Sequence, residues 1–169
     1  SFGWIPVEWE IYKLDEVSEK IQDGTHFSPK INQNGVYKYI TSKNIKSEYL
    51  NLKNVDYISE EEHKQIYERC NVKFGDILIT KDGASTGNAC LNTLKEEFSL
   101  LSSVAFIRAN PEKAINEFVY QYILSPEGQR LIKDSMAGQA ITRITLKKLK
   151  NFRFVFPPLP EQRRIAAIL

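Results

Sequence analysis

Cysteine and histidine are scarce in this sequence, with two of each among 169 residues. Cys70 and Cys90 form no CxxC motif and belong to no Cys/His cluster. The sequence therefore lacks the ligand spacing of a zinc site and the paired cysteines of a disulfide-stapled fold. We predict two reduced, partly buried thiols in an intracellular protein.

Long hydrophobic runs are also missing. Apolar stretches such as residues 77–79 and 104–107 are far shorter than the roughly 20 residues that cross a bilayer. The first residues do not pair a basic segment with an apolar one, as a signal peptide would. With 42% hydrophobic and 26% charged residues, the composition is typical of a soluble globular protein. We expect a cytoplasmic protein without a membrane partner.

The shortage of histidine weighs against general acid–base catalysis. His26 lies in a glycine-rich turn and His63 in a charged segment, so a Ser/His/Asp arrangement has few candidate bases. The segment GASTG is too short for a phosphate-binding loop and lacks a lysine after its last glycine. Neither hydrolysis nor nucleotide chemistry is indicated.

Two motifs are similar to catalytic motifs without meeting their requirements. Glu62 and Lys64, with Asp56 upstream, have the composition of a metal-dependent nuclease site. They fall on a predicted helix, where residues two apart point in different directions. FPPL is similar to the Pro-Pro motif of amino-group DNA methyltransferases, but Phe156 stands where that chemistry needs an Asn or Asp. We therefore predict a non-catalytic chain.

The basic residues are unevenly distributed. The net charge is only +2, yet residues 137–164 hold seven basic residues and a single acid. Such an asymmetry makes one face attractive to phosphate. A solvated helix face would explain the lysine cluster equally well.

The periodicity predicts an α+β fold. Strands are predicted near residues 9–14, 36–41, 77–80, 88–91, 102–110 and 152–156. Helices are predicted near residues 14–23, 59–70, 110–124, 125–136 and 145–151. The regular alternation of a doubly wound sheet is absent. We expect a single domain with a mixed, curled β-sheet flanked by helices.

Three predicted loops have a composition suited to a polar, anionic partner: DGTHFSPK, TKDGASTGN and MAGQAITRIT. Each combines glycine with small hydroxyl side chains and at least one cation, so that the backbone can approach a ligand closely. Gln139 and Arg143 have the donors that match the edges of adenine and guanine, respectively. Ordinary surface turns share this composition, and that alternative stays open.

The last residues, PEQRRIAAIL, have the pattern of a helix that begins near residue 159. Pro160 suits a first helical turn and Glu161 suits the positive end of the helix dipole. Ile165, Ile168 and Leu169 are predicted to share one face. No stop signal follows, so we expect the helix to continue and the chain to be a fragment.

Several segments together resemble a known family. GWIPVEWEIYKLDEV, YITSKNI, FGDILITKDGASTGNA, FVYQYILSPEGQRLIKD and GQAITRITLKKLKNFRFVFPPLPEQRRIAAIL follow one another along nearly the whole chain. In this order they resemble the target recognition domain of a type I restriction–modification specificity subunit. PPLPEQRRIAAIL is the most specific piece.

The resemblance implies a division of labour. Residues 1–157 would be a recognition domain that reads one half of a split site in double-stranded DNA, and residues 158–169 would begin a spacer and dimerisation helix. The expected partners are the modification (methyltransferase) subunits, the restriction subunit, and a second recognition domain or a second copy of this chain. S-adenosylmethionine, ATP and Mg²⁺ are expected only in those partner subunits.

The predicted site residues follow from the loops and from the resemblance. We expect the three loops to converge on one side of the sheet and to enter the major groove. The predicted DNA-binding residues are Thr25, His26, Lys43, Asn44, Lys81, Ser85, Thr86, Gln139, Thr142, Arg143, Lys147 and Lys148. The predicted partner-binding residues are Arg163, Arg164, Ile165, Ile168 and Leu169.

Their roles are expected to differ. Arg143, Gln139 and Lys81 are expected to contact or approach bases. Lys147, Lys148 and Lys150 are expected to bind phosphates. Two alternatives remain at this stage. The chain could be a protein-interaction scaffold that reads no base, or the apolar face of the last helix could pack on its own domain.

Overall fold

The computed structural model describes residues 4–138 and 140–168. Its centre is an antiparallel sheet in the order β2-β8-β5-β6, formed by β2 (Ser18–Asp23), β5 (Ile77–Thr80), β6 (Ala89–Leu91) and β8 (Val104–Ala109). A second sheet, in the order β4-β3-β7, contains β3 (Tyr37–Ile40), β4 (Asp56–Ile58) and β7 (Ser99–Leu100). β1 (Glu10–Lys13) pairs with β9 (Arg153–Phe156).

The helices are α1 (Glu60–Arg69), α2 (Asn116–Leu124), α3 (Pro126–Ser135), α4 (Leu146–Lys150) and α5 (Leu159–Ile168). None of those in the described residues is long and apolar enough to span a membrane. Ser59, Ser125 and Thr145 cap α1, α3 and α4, and each hydroxyl oxygen accepts a backbone N–H three residues later. These three helix starts confirm the sequence predictions.

Both faces of the central sheet are covered. Alternate side chains of a strand point to opposite faces, and both faces of β5 are covered. All four residues of β5 are therefore fully buried. Ile77 and Ile79 pack into a core with α2, α3, α4 and β9, whereas Leu78 packs into a second core with α1 and the second sheet. The central sheet is therefore a buried platform between a helical layer and a smaller sheet.

The α+β class is confirmed, but two details of the prediction are wrong. The single mixed sheet is three separate sheets, of which the second is mixed because β3 runs parallel to β7. The helix predicted near residues 14–23 is a 3₁₀ turn (Leu14–Val17) followed by strand β2. From Ser18 onward the buried residues alternate, and β2 supplies an edge partner for β8.

The helix predicted to start at Asn110 begins instead at Asn116. Asn110 forms a local turn, because its side-chain oxygen accepts the Glu112 N–H at 3.0 Å. The Asn116 side chain accepts the Ala109 N–H and donates to the Gly75 carbonyl, each at 2.8 Å. The start of α2 therefore depends on contacts with the end of β8 and with Gly75, which lies 41 residues away in sequence, just before β5.

A buried ion pair joins β5 and β8 at one end of the central sheet. Asp76 is 1% exposed and Arg108 is 9% exposed. The Arg108 Nε and Nη2 donate to the two carboxylate oxygens at 2.9 and 2.7 Å. Burial lowers the pKa of Arg108, but the hydrogen bonds and charge of Asp76 more than offset this, so that the pKa is raised overall.

The two thiols should be unreactive in the folded protein. Cys70 and Cys90 are free and fully buried, and burial raises the pKa of each to about 12. The thiolate is the reactive form, so neither cysteine should react with a disulfide reagent such as DTNB at pH 8. Adding denaturant should release two reactive thiols per chain, which absorbance at the reagent's product band would count. Rapid labelling of either cysteine without denaturant would contradict this burial.

Candidate functional site

The topology brings several loops to one end of the strands of the central sheet. β2 and β5 both pair antiparallel with β8, which lies between them. The loops that follow β2 and β5 therefore lie beside the loop that precedes β8. β3 runs parallel to β7, and β7 leads into the loop that precedes β8. The segment after β3 therefore lies at the same end of the strands. We call the surface formed by residues 24–30, 41–44, 81–87, 101–103 and 140–144 the loop surface.

Backbone hydrogen bonds hold the loop surface together. Thr25 donates to the Leu100 carbonyl at 2.8 Å and accepts from Ser102 at 2.9 Å. Lys81 donates to the Ser103 carbonyl at 2.9 Å and accepts from Ile144 at 2.7 Å. Segments that are far apart in sequence thus form one continuous surface, and the three predicted loops lie side by side.

Gly24 is required where two of these segments cross. A Cβ atom at this position would lie 2.0 Å from the carbonyl oxygen of Leu100 and 2.5 Å from the carbonyl carbon of Leu101. Both neighbours are backbone atoms, which cannot rotate out of the way. Glycine therefore sets the distance between the loop after β2 and the loop before β8.

Two predicted DNA-binding residues, Thr25 and Asn44, are buried in the base of the loop surface. Thr25 Oγ1 accepts the Phe27 N–H at 3.2 Å. Asn44 accepts the Thr41 N–H and donates to the Asn51 carbonyl, each at 3.0 Å. These buried side chains hold the loops in shape through hydrogen bonds within the loop surface.

Lys81 is also buried, with only 5% of its surface exposed. Its Nζ lies 3.4 Å from a carboxylate oxygen of Asp23, which is itself buried. His26 and Arg69 lie 3.2 and 3.3 Å from the same carboxylate group. A buried ammonium requires a partner of this kind. Lys81 therefore anchors the end of β5 to β2, and its ammonium group is paired and buried rather than exposed.

Other predicted residues of the loop surface face solvent. The side chain of His26 is 67% exposed and that of Lys43 is 74% exposed, with the Lys43 Nζ 3.5 Å from Asp56. Thr142 is exposed, and its carbonyl accepts the Gly83 N–H at 3.0 Å. Ser85 and Thr86 are half-buried, and Thr86 Oγ1 donates to the Gly83 carbonyl at 2.6 Å. Gln139 lies outside the described residues.

Arg143 projects from the loop surface beside Asp82. The guanidinium side chain is 53% exposed, and its Nε and Nη2 donate to Asp82 Oδ2 at 3.0 and 2.5 Å. These hydrogen bonds and the charge of Asp82 raise the pKa of Arg143 further, so it is charged at any physiological pH. Arg143 thus combines exposure with a defined orientation.

The lysines of α4 have unequal surroundings. Lys148 is half-buried, and its Nζ donates to the Ser135 carbonyl at 2.6 Å. Lys150 lies 3.6 Å from Asp15. Lys147 is exposed, one helical turn from the loop surface. Of the three predicted phosphate contacts, Lys147 is the best placed, because Lys148 ties α4 to the end of α3 and Lys150 lies beside an acid.

Helix α5 is docked on its own domain. Gln162 is buried and bonds the Ile115 N–H, the Lys113 carbonyl and the Pro157 carbonyl at 2.9–3.2 Å. Ile165 is half-buried against the helical layer, whereas Ile168 is 82% exposed. The predicted apolar face is therefore divided between the domain and solvent.

The remaining partner-binding candidates of this helix fall into two groups. Arg163 and Arg164 are exposed. Leu169 lies outside the described residues.

Three further residues of the loop surface were not predicted. Phe27 is 45% exposed and Ile141 is 65% exposed, so both offer apolar contact area beside the polar groups of the loop surface. The sequence does not single out Asp82, because an acid next to a lysine is common in surface turns. An apolar residue inside a polar loop is the signal that could have identified Phe27 and Ile141.

A serine, a histidine and a carboxylate do lie in contact beside α1. His63 Nδ1 is 2.9 Å from Ser99 Oγ, and His63 Nε2 is 3.2 Å from Glu97. Ser99 is fully buried, and the imidazole stacks on Tyr37 with 3.7 Å between the ring centroids. A buried hydroxyl cannot reach a substrate, so these contacts are structural. Within the described ranges, no three His, Cys, Asp or Glu side chains are grouped so that they could hold a metal ion.

Residues 6–169 match the family described as the type I restriction modification DNA specificity domain. The chain belongs to this family. Two proteins of Methanocaldococcus jannaschii, named as specificity subunits of the type I restriction enzymes MjaX and MjaVIII, are 26% and 25% identical to it. The alignments cover 100% and 98% of this chain but only 40% and 36% of those proteins.

A solved structure has the same fold as this specificity domain. The crystal structure of the HsdS subunit from Thermoanaerobacter tengcongensis superposes with a TM-score of 0.71 at 20% identity. The superposition covers 99% of this chain and 38% of that subunit. The chain therefore spans well under half the length of the proteins it matches, and the resemblance predicted from its motifs is confirmed.

Proposed function

We propose that this specificity domain recognises one half of a split site in double-stranded DNA, as part of the specificity subunit of a type I restriction–modification system. The observation that carries the proposal is the loop surface. Five segments meet at one end of the strands of the central sheet and expose His26, Lys43 and Arg143. The family description, DNA specificity domain, supports the same function.

In this proposal the residues of the loop surface have different roles. Arg143 reads a base edge in the major groove, where an arginine distinguishes guanine from the other bases. Lys147 and Lys43 bind phosphates, which position the domain without reading the sequence. Thr25, Asn44 and Lys81 act indirectly, because they fix the loops from below.

The chain itself is proposed to break no bond. Methylation of adenine and cleavage of DNA would belong to the modification and restriction subunits, with S-adenosylmethionine, ATP and Mg²⁺ bound there. The exposed side of α5, with Arg163, Arg164 and Ile168, is proposed to face such a partner, a second recognition domain or a second copy of this chain. That this helix continues as a spacer stays a prediction.

Salt dependence tests the proposal against a protein-interaction scaffold. We expect the domain to bind a labelled duplex with a dissociation constant on the order of 10⁻⁴–10⁻⁶ M when the sequence is random, and to lose affinity steeply between 50 and 200 mM salt. Each phosphate contact contributes about 0.9 to the slope of log K against log[salt]. Lys147→Ala should therefore lower that slope by about 0.9, as measured by fluorescence anisotropy.

Lys95→Ala is the matched control, because Lys95 is an exposed cation that follows β6 at the opposite end of the central sheet. Its slope should equal that of the unaltered chain. Binding that is insensitive to salt, as apolar docking would be, would contradict recognition of DNA by this surface.

A further inference from the structure

We infer that Asp82 is a positioning residue that presents Arg143 to the major-groove edge of a guanine and so gives the loop surface a preference at one base pair. This inference rests on the proposed function and names the base that the surface selects. Asp82 is the only acid in direct contact with Arg143 among the described residues.

The geometry leaves one end of the guanidinium available. Arginine has five N–H donors in a planar fork. The Nε–H and one hydrogen of Nη2 are taken by the same Asp82 oxygen. No contact within residues 4–138 and 140–168 occupies Nη1. Nη1 and the second hydrogen of Nη2 therefore form two parallel donors, which match the O6 and N7 acceptors of guanine.

The backbone holds the pair in place. Asp82 and Arg143 face each other across an antiparallel bridge, although they are 61 residues apart in sequence. The Gly83 N–H donates to the Thr142 carbonyl at 3.0 Å, and the Ile144 N–H donates to the Lys81 carbonyl at 2.7 Å. Lys81 is anchored in turn by the buried Asp23. The carboxylate is thus fixed relative to the sheet, and it transmits this orientation to Arg143.

The negative charge of Asp82 also disfavours a competing use of Arg143. Phosphates dominate the electrostatic attraction of DNA, so an unpaired arginine on a loop would bind them without regard to sequence. A carboxylate oxygen 3.0 Å from Nε repels phosphate oxygens from that side of the fork. Exposed ion pairs contribute little to folding stability, so removing Asp82 should leave the fold intact.

A binding selection from a randomised duplex library, followed by sequencing, tests this inference. It compares the unaltered chain with Asp82→Ala, Asp82→Asn, Arg143→Ala and the double variant. Asp134→Ala is the matched control, because it removes an acid that lies 3.6 Å from Arg130 on the exposed surface of α3. Urea denaturation of each variant shows whether the fold is retained.

The unaltered chain should enrich guanine at one position, and Asp82→Ala and Arg143→Ala should each lose that preference by roughly 5- to 150-fold. Asp82→Asn keeps an acceptor oxygen and should retain most of the preference. Both Asp82 variants should bind all sequences more tightly, because a negative charge is removed from the surface. The double variant should match Arg143→Ala at this position, and Asp134→Ala should match the unaltered chain.

The urea midpoint of Asp82→Ala should be unchanged. If Asp82→Ala keeps the guanine preference while Arg143→Ala loses it, the inference is wrong and the proposed function stands. If the unaltered chain enriches no sequence at all, the proposed function fails, and the inference fails with it.

Discussion

Replacing Asp76 with alanine is expected to lower the free energy of unfolding by about 3–5 kcal/mol, because the buried guanidinium of Arg108 loses its carboxylate partner. Arg108 is 9% exposed and donates to both oxygens of Asp76. Asp76 also accepts the Lys73 N–H at 2.7 Å, so a turn before β5 loses its support as well. Without the carboxylate, the guanidinium keeps only the Asn71 carbonyl at 2.9 Å and the exposed Glu19 at 4.0 Å, or it pulls toward solvent and disrupts β8.

Urea denaturation followed by circular dichroism measures this loss. The double variant Asp76→Ala/Arg108→Met should be more stable than Asp76→Ala alone, since removing both charges removes the unpaired one. A loss of less than about 1 kcal/mol in the single variant would contradict the buried pair, because that is the range of exposed ion pairs.

The Asp76→Ala variant should lower stability without changing base recognition. Asp76 immediately precedes β5, and the loop surface follows the other end of that strand. Under conditions where the Asp76→Ala protein is still folded, its base preference should therefore equal that of the unaltered chain.

Gly24→Ala should affect both stability and DNA recognition. The new Cβ would lie 2.0 Å from the Leu100 carbonyl oxygen, so the loops after β2 and before β8 must separate. Overpacking of this kind typically costs about 1–3 kcal/mol. Separating the loops should displace His26 and Phe27, and the specific affinity should fall by roughly the 1–3 kcal/mol of one good base contact. Non-specific affinity, which depends on the exposed lysines, should be retained.

Gly35→Ala provides the control for this effect. Its Cβ would lie 2.5 Å from the Ile58 carbonyl oxygen, but Gly35 precedes β3 and lies away from the loop surface. It should lower stability without changing the preferred sequence. If Gly24→Ala kept the preferred sequence and affinity of the unaltered chain, the crossing at Leu100 would not belong to the recognition surface.

Four basic side chains of the loop surface lie beside acids, which affects how it would bind DNA. His26 and Lys81 contact Asp23, Lys43 contacts Asp56, and Arg143 contacts Asp82. Acids among these cations lower the non-specific attraction to phosphate. Discrimination would then depend on the orientation of a few side chains rather than on a strong positive field.

Local sequence determined several features that the structure confirms. The run ILIT predicts β5 because a strand covered on both faces is a near-continuous apolar run rather than an alternating one. Ser59, Ser125 and Thr145 predict helix starts because the capping bond forms within three residues of the cap. The order of motifs along the chain was sufficient to identify the family.

The tertiary structure alone decided which candidate residues face outward. Lys81 and Arg143 look alike as basic residues in polar loops, yet one is buried against Asp23 and the other is exposed beside Asp82. The identity of β2 and the start of α2 likewise depend on strands far away in sequence. Burial and ion pairing are properties of neighbours in space, and here those neighbours are brought together by the antiparallel order of the central sheet.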